Sequence, residues 1–223
     1  MPLKPLCLSG IFCIRSVCHF VVYFFGISFF IAIFAGEKFG KTENYIFKTK
    51  QKNMNIGDKA PEILGKDENG KEIRLSDFKG QKFVLYFYPK DNTSGCTAEA
   101  CSLRDNYKEL RRRGYAVVGV SVQDEKSHKK FIEKHELPFP LIADTENQLV
   151  EQFGVWAEKS MYGRKYMGTL RTTFIINEEG IVEQVFQSKQ IKTKTHGEQI
   201  LEAINSKIAK TSINSKYKVN RNK

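Results

Sequence analysis

Two apolar runs, Lys82–Tyr88 (KFVLYFY) and Tyr115–Ser121 (YAVVGVS), constrain this chain more than any other feature. Both are short and rich in aromatic and β-branched side chains, so each reads as a buried strand rather than a helix. Between them lies a loop, PKDNTSG, and a stretch of helical character from about Cys96 to Arg113 that stops at Gly114. A strand, a crossover helix and a second buried strand in that order make a parallel unit, with the helix covering one face of the sheet.

The rest of the chain from residue 54 extends this unit. Residues 62–66 and 71–75 flank Glu68-Asn69-Gly70, a hairpin signal. Glu125–His135 reads as a helix ended by Leu137-Pro138, Phe139–Ile142 as a short strand and Glu146–Phe153 as a short helix. Arg171–Ile176 and Ile181–Phe186 form a hairpin around Glu178-Glu179-Gly180, and Thr195–Ile208 is a closing amphipathic helix. Strands and helices alternating before a final hairpin and helix give an α/β fold of the thioredoxin-like type, a central mixed β-sheet with helices on both faces.

Charge and cysteines separate this body from its ends. The net charge is +11, but residues 1–53 carry seven Lys/Arg against two Glu, and residues 207–223 carry six Lys/Arg and no acid. The body, 54–206, holds 23 basic and 23 acidic residues. Excess charge confined to tails does not make a nucleic-acid-binding domain, and no nucleic-acid partner is expected. Cys96 and Cys101 are the only cysteines of the body; Cys7, Cys13 and Cys18 precede it. One pair is no secreted disulfide framework, and no second Cys/His cluster exists for zinc. His128, His135 and His196 are expected to be solvated. Two isolated cysteines point to redox chemistry or to none.

The leader, residues 1–53, contains an apolar run from Val17 to Ala35 that just reaches the roughly 17–25 residues of a membrane-spanning helix. It reads as a signal peptide, as a membrane anchor, or as upstream sequence ahead of a start at Met54. As an anchor, it would leave the body cytoplasmic, because Lys38, Lys41, Lys48, Lys50 and Lys52 outnumber Lys4 and Arg15. Residues 36–53 form a Lys-rich polar linker, so the chain divides into leader and linker, a body over 54–206, and a basic tail over 207–223.

Cys96 is the candidate nucleophile. It falls where a strand has ended and a helix begins, the crevice in which α/β sheets bind ligands. Unpaired N–H groups and the partial positive charge of a helix N-terminus stabilise an anionic sulfur there, and the thiolate is the reactive form. Gly95 permits close approach of a ligand, and Thr93 adds a hydroxyl. The alternative is a small buried hydrophobe. Cys101, five positions on, would lie about 140° around a helix and about 8–9 Å away between Cα atoms. A disulfide needs about 4.4–6.8 Å, so the two cysteines bond only if the first turn unwinds.

The segment YFYPKDNTSGCTAEACSLRD, residues 86–105, resembles the active-site segment of the peroxiredoxins, specifically the peroxiredoxin Q or bacterioferritin comigratory protein group. The pattern P-x-x-x-[T/S]-x-x-C falls on Pro89, Thr93 and Cys96, and the group's second cysteine falls on Cys101. Further similarity runs in one colinear order through 57–80, LPFPLIAD (137–144), FGVWAEK (153–159), RTTFIIN (171–177) and KTKTHGEQIL (192–201). The resemblance implies a peroxidatic Cys96 that reduces hydrogen peroxide or organic hydroperoxides and becomes a sulfenic acid. Thr93 would bond the peroxide, Arg171 would stabilise the thiolate and the developing charge, and Pro89 would shield the pocket. Cys101 would then close an intramolecular disulfide that thioredoxin or a similar dithiol reduces. Glu99 matches the group's glutamate between the cysteines and is expected to support the site from behind. No cofactor or metal is implied, and a monomer is. Where the group commonly has T-P-G-C this chain has Thr93-Ser94-Gly95-Cys96, expected to loosen the loop slightly.

The competing reading is a membrane-tethered thiol–disulfide oxidoreductase of the same fold. The leader suits it, but that class works through C-x-x-C, and the spacing here is C-x-x-x-x-C.

Overall fold

The protein's computed structural model describes residues 53–161 and 163–219. The apolar run 17–35 and the linker up to residue 52 lie outside the described residues, as do residues 220–223 of the tail. In chain order the elements are β1 (Ile63–Lys66), β2 (Glu72–Arg74), β3 (Lys82–Phe87), α1 (Ser94–Asp105), α2 (Tyr107–Arg112), β4 (Tyr115–Ser121), α3 (Glu125–His135), β5 (Leu141–Ala143), α4 (Gln148–Gln152), β6 (Trp156–Met161), β7 (Arg164–Thr169), β8 (Thr172–Ile176), β9 (Val182–Phe186) and α5 (His196–Val219).

The central sheet runs β5-β4-β3-β8-β9. Strands β3, β4 and β5 are parallel, whereas β8 is antiparallel to β3 and β9 to β8, which makes the expected mixed sheet. Alternation along β3 divides the core. Phe83, Leu85 and Phe87 pack on one face with Leu64, Ile73, Leu149, Val150 and Phe153. Val84, Tyr86 and Tyr88 face the other way, against Ala100 and Leu103 of α1, Leu110 of α2, Phe131 of α3, and Ile200 and Ile204 of α5. Each such large side chain removed from water contributes about 1.5–3 kcal/mol, so both faces of β3 are held strongly. Tyr86 reaches over Gly119 of β4 so closely that a Cβ there would sit 2.8 Å from its hydroxyl.

Three local features differ from the sequence reading. The helix expected over 96–113 is two helices with a break at Asn106, whose side-chain amide donates to the Ser102 carbonyl (2.9 Å). The closing helix does not end at Ile208 but continues through Val219, into the basic stretch. An additional hairpin, β6–β7, stands between α4 and β8. Among the described residues no helix is long and apolar enough to cross a membrane.

Candidate active site

Thr93 occupies the N-cap position of α1 with extended backbone (φ −89°, ψ 149°), and Cys96 is the third residue of the helix. The first bond of the helical ladder runs from the Thr97 N–H to the Thr93 carbonyl (2.8 Å), which leaves the N–H groups of Ser94, Gly95 and Cys96 ahead of it. Thr93 is exposed, and its hydroxyl does not cap the helix; it donates to the Lys90 carbonyl (3.2 Å). Pro89 is half-buried at the start of the loop.

Arg171, between β7 and β8, reaches this helix start from a separate element. Its Nη2 donates to Cys96 Sγ at 3.1 Å, and its Nη1 is ion-paired with Glu99 Oε2. The guanidinium passes beside Gly95, its Nη2 3.5 Å from where a Cβ would stand, which is ordinary contact distance. Cys96 is 2% exposed, so the bond is made in a medium where charge–dipole attraction is much stronger than in water. Both Cys96 and Cys101 are free thiols, the latter half-buried, and α1 is continuous through both. In that helical state the i, i+5 geometry keeps them about 8–9 Å apart between Cα atoms, beyond bonding range.

Glu99 is fully buried beneath Arg171. Burial pushes its carboxyl up to about 7, although the Arg171 charge and hydrogen bond pull downward. Its Oε1 finds no hydrogen-bond partner among the described residues, and His196 Nε2 lies 4.0 Å from it. His196 shares a 2.8 Å hydrogen bond with the Thr173 hydroxyl, and burial drives it down to about 4, with Gln199 opposing and the Arg171 charge assisting. It is therefore neutral at pH 7.

The structure thus brings Cys96, Thr93 and Arg171 to one helix start and places Cys101 five residues along the same helix. Sequence reasoning missed three things around them. Lys159 of β6 donates to the Thr169 carbonyl; burial lowers its pKa, the nearby Arg171 charge lowers it further, and Cys96 opposes both. That places a second cation within electrostatic reach of the thiol. His128 and His196, expected to be solvated, are both fully buried, because each has hydrogen-bond partners that only the fold brings close. Third, Asp91, in the loop before Thr93, is itself buried against His128. The aspartate in PKDNTSG was the available signal.

A thiol held at a helix N-terminus under an arginine, on a thioredoxin-like sheet, is the arrangement of a redox-active thiol enzyme. The chain belongs to the AhpC/TSA family, whose pattern matches residues 56–185. It is 42% identical over 151 residues to Peroxiredoxin Bcp of Bacillus subtilis, covering 68% of this chain and 95% of that one. To Peroxiredoxin Bcp of Escherichia coli it is 43% identical over 148 residues, 66% of this chain and 94% of the other. Among solved structures it is similar to a Cys-to-Ser mutant of PrxQ from Xylella fastidiosa, with TM-score 0.64 and 32% identity over 70% of this chain and 99% of that one. Bacterioferritin comigratory protein of Xanthomonas campestris, studied for its alkyl peroxide reduction activity, superposes with TM-score 0.59 and 34% identity over 63% of this chain and 88% of that one. These relatives are the group whose motif the sequence resembles, and the oxidoreductase alternative gains nothing from them.

Proposed function

We propose that this protein is a thiol peroxidase that reduces hydroperoxides through Cys96. The observation that carries the reading is the 3.1 Å hydrogen bond from Arg171 to a buried thiol at the start of α1. The Cys96 thiolate attacks one peroxide oxygen and the O–O bond breaks. The sulfur becomes a sulfenic acid, and the other oxygen leaves as water or alcohol once it takes a proton. Arg171 and the free N–H groups of the helix start face the oxygens on which charge grows, where preorganised donors lower the barrier most. Thr93, exposed at the helix start, holds the peroxide with its hydroxyl once it is released from Lys90.

Cys101 then attacks the sulfenic sulfur, the S–S bond forms, and the hydroxyl leaves as water. This step requires α1 to unwind over its first turns. Thioredoxin or a dithiol like it returns both cysteines to thiols by exchange. The proposal includes a monomer located in the cytoplasm. The division into leader, body 54–206 and tail belongs to the same proposal.

The test is stoichiometry. Cys96→Ser should consume no peroxide while keeping its circular dichroism spectrum; near-normal turnover by that variant would end the reading. Cys101→Ser should consume one equivalent per chain, stop at sulfenic acid and lose turnover with thioredoxin.

A further inference from the structure

The loop that leads into α1 is fastened by a buried polar knot that the chemistry above does not use. Asp91 is 4% exposed, and its carboxylate accepts three hydrogen bonds. Oδ1 accepts from the Tyr88 hydroxyl (2.7 Å), while Oδ2 accepts from the Ser127 hydroxyl (2.6 Å) and from His128 Nδ1 (2.9 Å). The other ring nitrogen of His128, Nε2, faces the Ile142 carbonyl of β5 at 3.1 Å. A carbonyl only accepts, so Nε2 donates to Ile142, and the two ring nitrogens of His128 join the Asp91 carboxylate on one side to β5 on the other. His128 and Asp91 therefore form a fully buried hydrogen-bonded pair, with side chains 0% and 2% exposed. Burial alone would raise the Asp91 carboxyl, but the His128 bond and charge, with the Ser127 and Tyr88 hydroxyls, hold it below the usual carboxylate range.

The position of the knot gives it a consequence. Asp91 lies two residues before Thr93 and five before Cys96. Asn92 between them takes a left-handed turn (φ 55°), and Thr93 is tied back to the Lys90 carbonyl, so little slack separates anchor and helix start. Arg171 approaches from another element altogether, so the 3.1 Å contact to Cys96 depends on the loop being held in register with it.

We infer that Asp91 and His128 are positioning residues for peroxide reduction: their buried pair clamps the loop Pro89–Gly95 to α3 and β5, and so keeps Thr93 and Cys96 aligned with Arg171. The inference rests on the peroxidase reading. It also implies that the loop side of Cys96 stays fixed during turnover, so that the movement which joins the cysteines comes from the helix side.

The experiment compares Asp91→Asn with Tyr88→Phe and Ser127→Ala, all in a Cys101→Ser background, so that stopped-flow kinetics report only the oxidation of Cys96. Each variant is assayed well below its melting temperature with its circular dichroism spectrum intact. A misplacement of about an ångström costs on the order of 100-fold, so Asp91→Asn should slow Cys96 oxidation by about 10–100-fold. Tyr88→Phe and Ser127→Ala each remove one hydroxyl without stranding a charge. They should slow it by a few fold each, and they keep the test decisive if Asp91→Asn does not fold. In parallel, nitrogen-15 NMR of the parent should show the His128 Nε2–H proton protected from exchange by the Ile142 carbonyl, and Tyr88→Phe and Ser127→Ala should retain it. Folded variants that melt earlier but oxidise at the parent rate would show a merely structural knot and overturn the inference, as would a freely exchanging His128 Nε2–H proton. A parent that does not react with peroxide would instead refute the peroxidase reading, while the ring proton would still report on the buried pair.

Discussion

The two halves of α1 are attached to the protein by different kinds of interaction. The front half, Ser94 to Cys101, buries only the small side chains of Cys96 and Ala100 in the core and carries the charged ties: Arg171 bonds Cys96 and pairs with Glu99. The back half is tied by packing and backbone. Leu103 is fully buried, the Gly197 N–H of α5 donates to the Ser102 hydroxyl (3.0 Å), and Arg104 donates to the His135 carbonyl (2.7 Å). Gly197 sits so close to α1 that a Cβ there would lie 2.5 Å from the Ser102 carbonyl oxygen. On the proposed mechanism, oxidation of Cys96 would change the partner that Arg171 holds, and none of these back-half ties involves Cys96. A helix built this way would have a redox-sensitive end and an inert end, with Cys101 at the boundary.

The largest break of this comparison is Arg171→Ala. It removes the donor to Cys96 and strands the fully buried Glu99, so peroxide consumption should fall by roughly 100–1,000-fold, the loss typical of one preorganised donor. A fall below about threefold, measured as the second-order rate of Cys96 oxidation, would separate Arg171 from the chemistry.

Next comes pH. Glu99 is held at about 7 when buried, against an ordinary value of 4.5, so the wound helix binds its proton more tightly than the unwound one. That stabilisation is complete below the ordinary value and is lost as pH rises through about 7. His196, at about 4, is already neutral across most of that window. Opening of the front half should become easier from about pH 5 to about pH 7, by up to about 3 kcal/mol, and then level off. Hydrogen exchange of residues 97–101, corrected for its intrinsic pH dependence, should show the trend in the parent and lose it in Glu99→Gln. A pH-independent parent would remove Glu99 from the account.

Smaller still, Gly197→Ala should push the start of α5 away from Ser102 and Asn106 and cost about 1–3 kcal/mol of stability by thermal melting. Its sharper use is to loosen the back half alone: amides 103–106 should exchange faster while the rate of Cys96 oxidation stays within a few fold. Unaltered exchange there would mean that α5 does not clamp α1.

How much of this was legible in the sequence depends on the range over which each feature is determined. Strands β3 and β4 and helix α3 follow from local apolar patterning, and the ranges expected for β4 and α3 match the observed ones. The hairpin β6–β7 escaped because WAEKSM and RKYMGT are mostly polar and β7 is largely exposed, so no burial period marks it. The break at Asn106 escaped because it depends on a side-chain bond to Ser102 and on contact with Gly197, far along the chain. Cys96, Thr93 and Cys101 share one motif and could be read together. Arg171 stands 75 residues from Cys96, and only the family resemblance pointed to it. The pair Asp91–His128 spans 37 residues, and nothing local distinguishes His128 from a solvated helix residue.

The most direct test of the account is hydrogen exchange along α1 before and after one equivalent of hydroperoxide. In the reduced protein, amides 97–106 should be protected, because α1 is continuous to Asp105. After oxidation, with the Cys96–Cys101 disulfide confirmed by mass spectrometry, protection should vanish over 97–101. It should persist over 103–106 and throughout β3 and β4. Equal protection of 97–101 in both redox states would contradict the account, because a wound helix cannot bring two cysteines five residues apart within bonding distance.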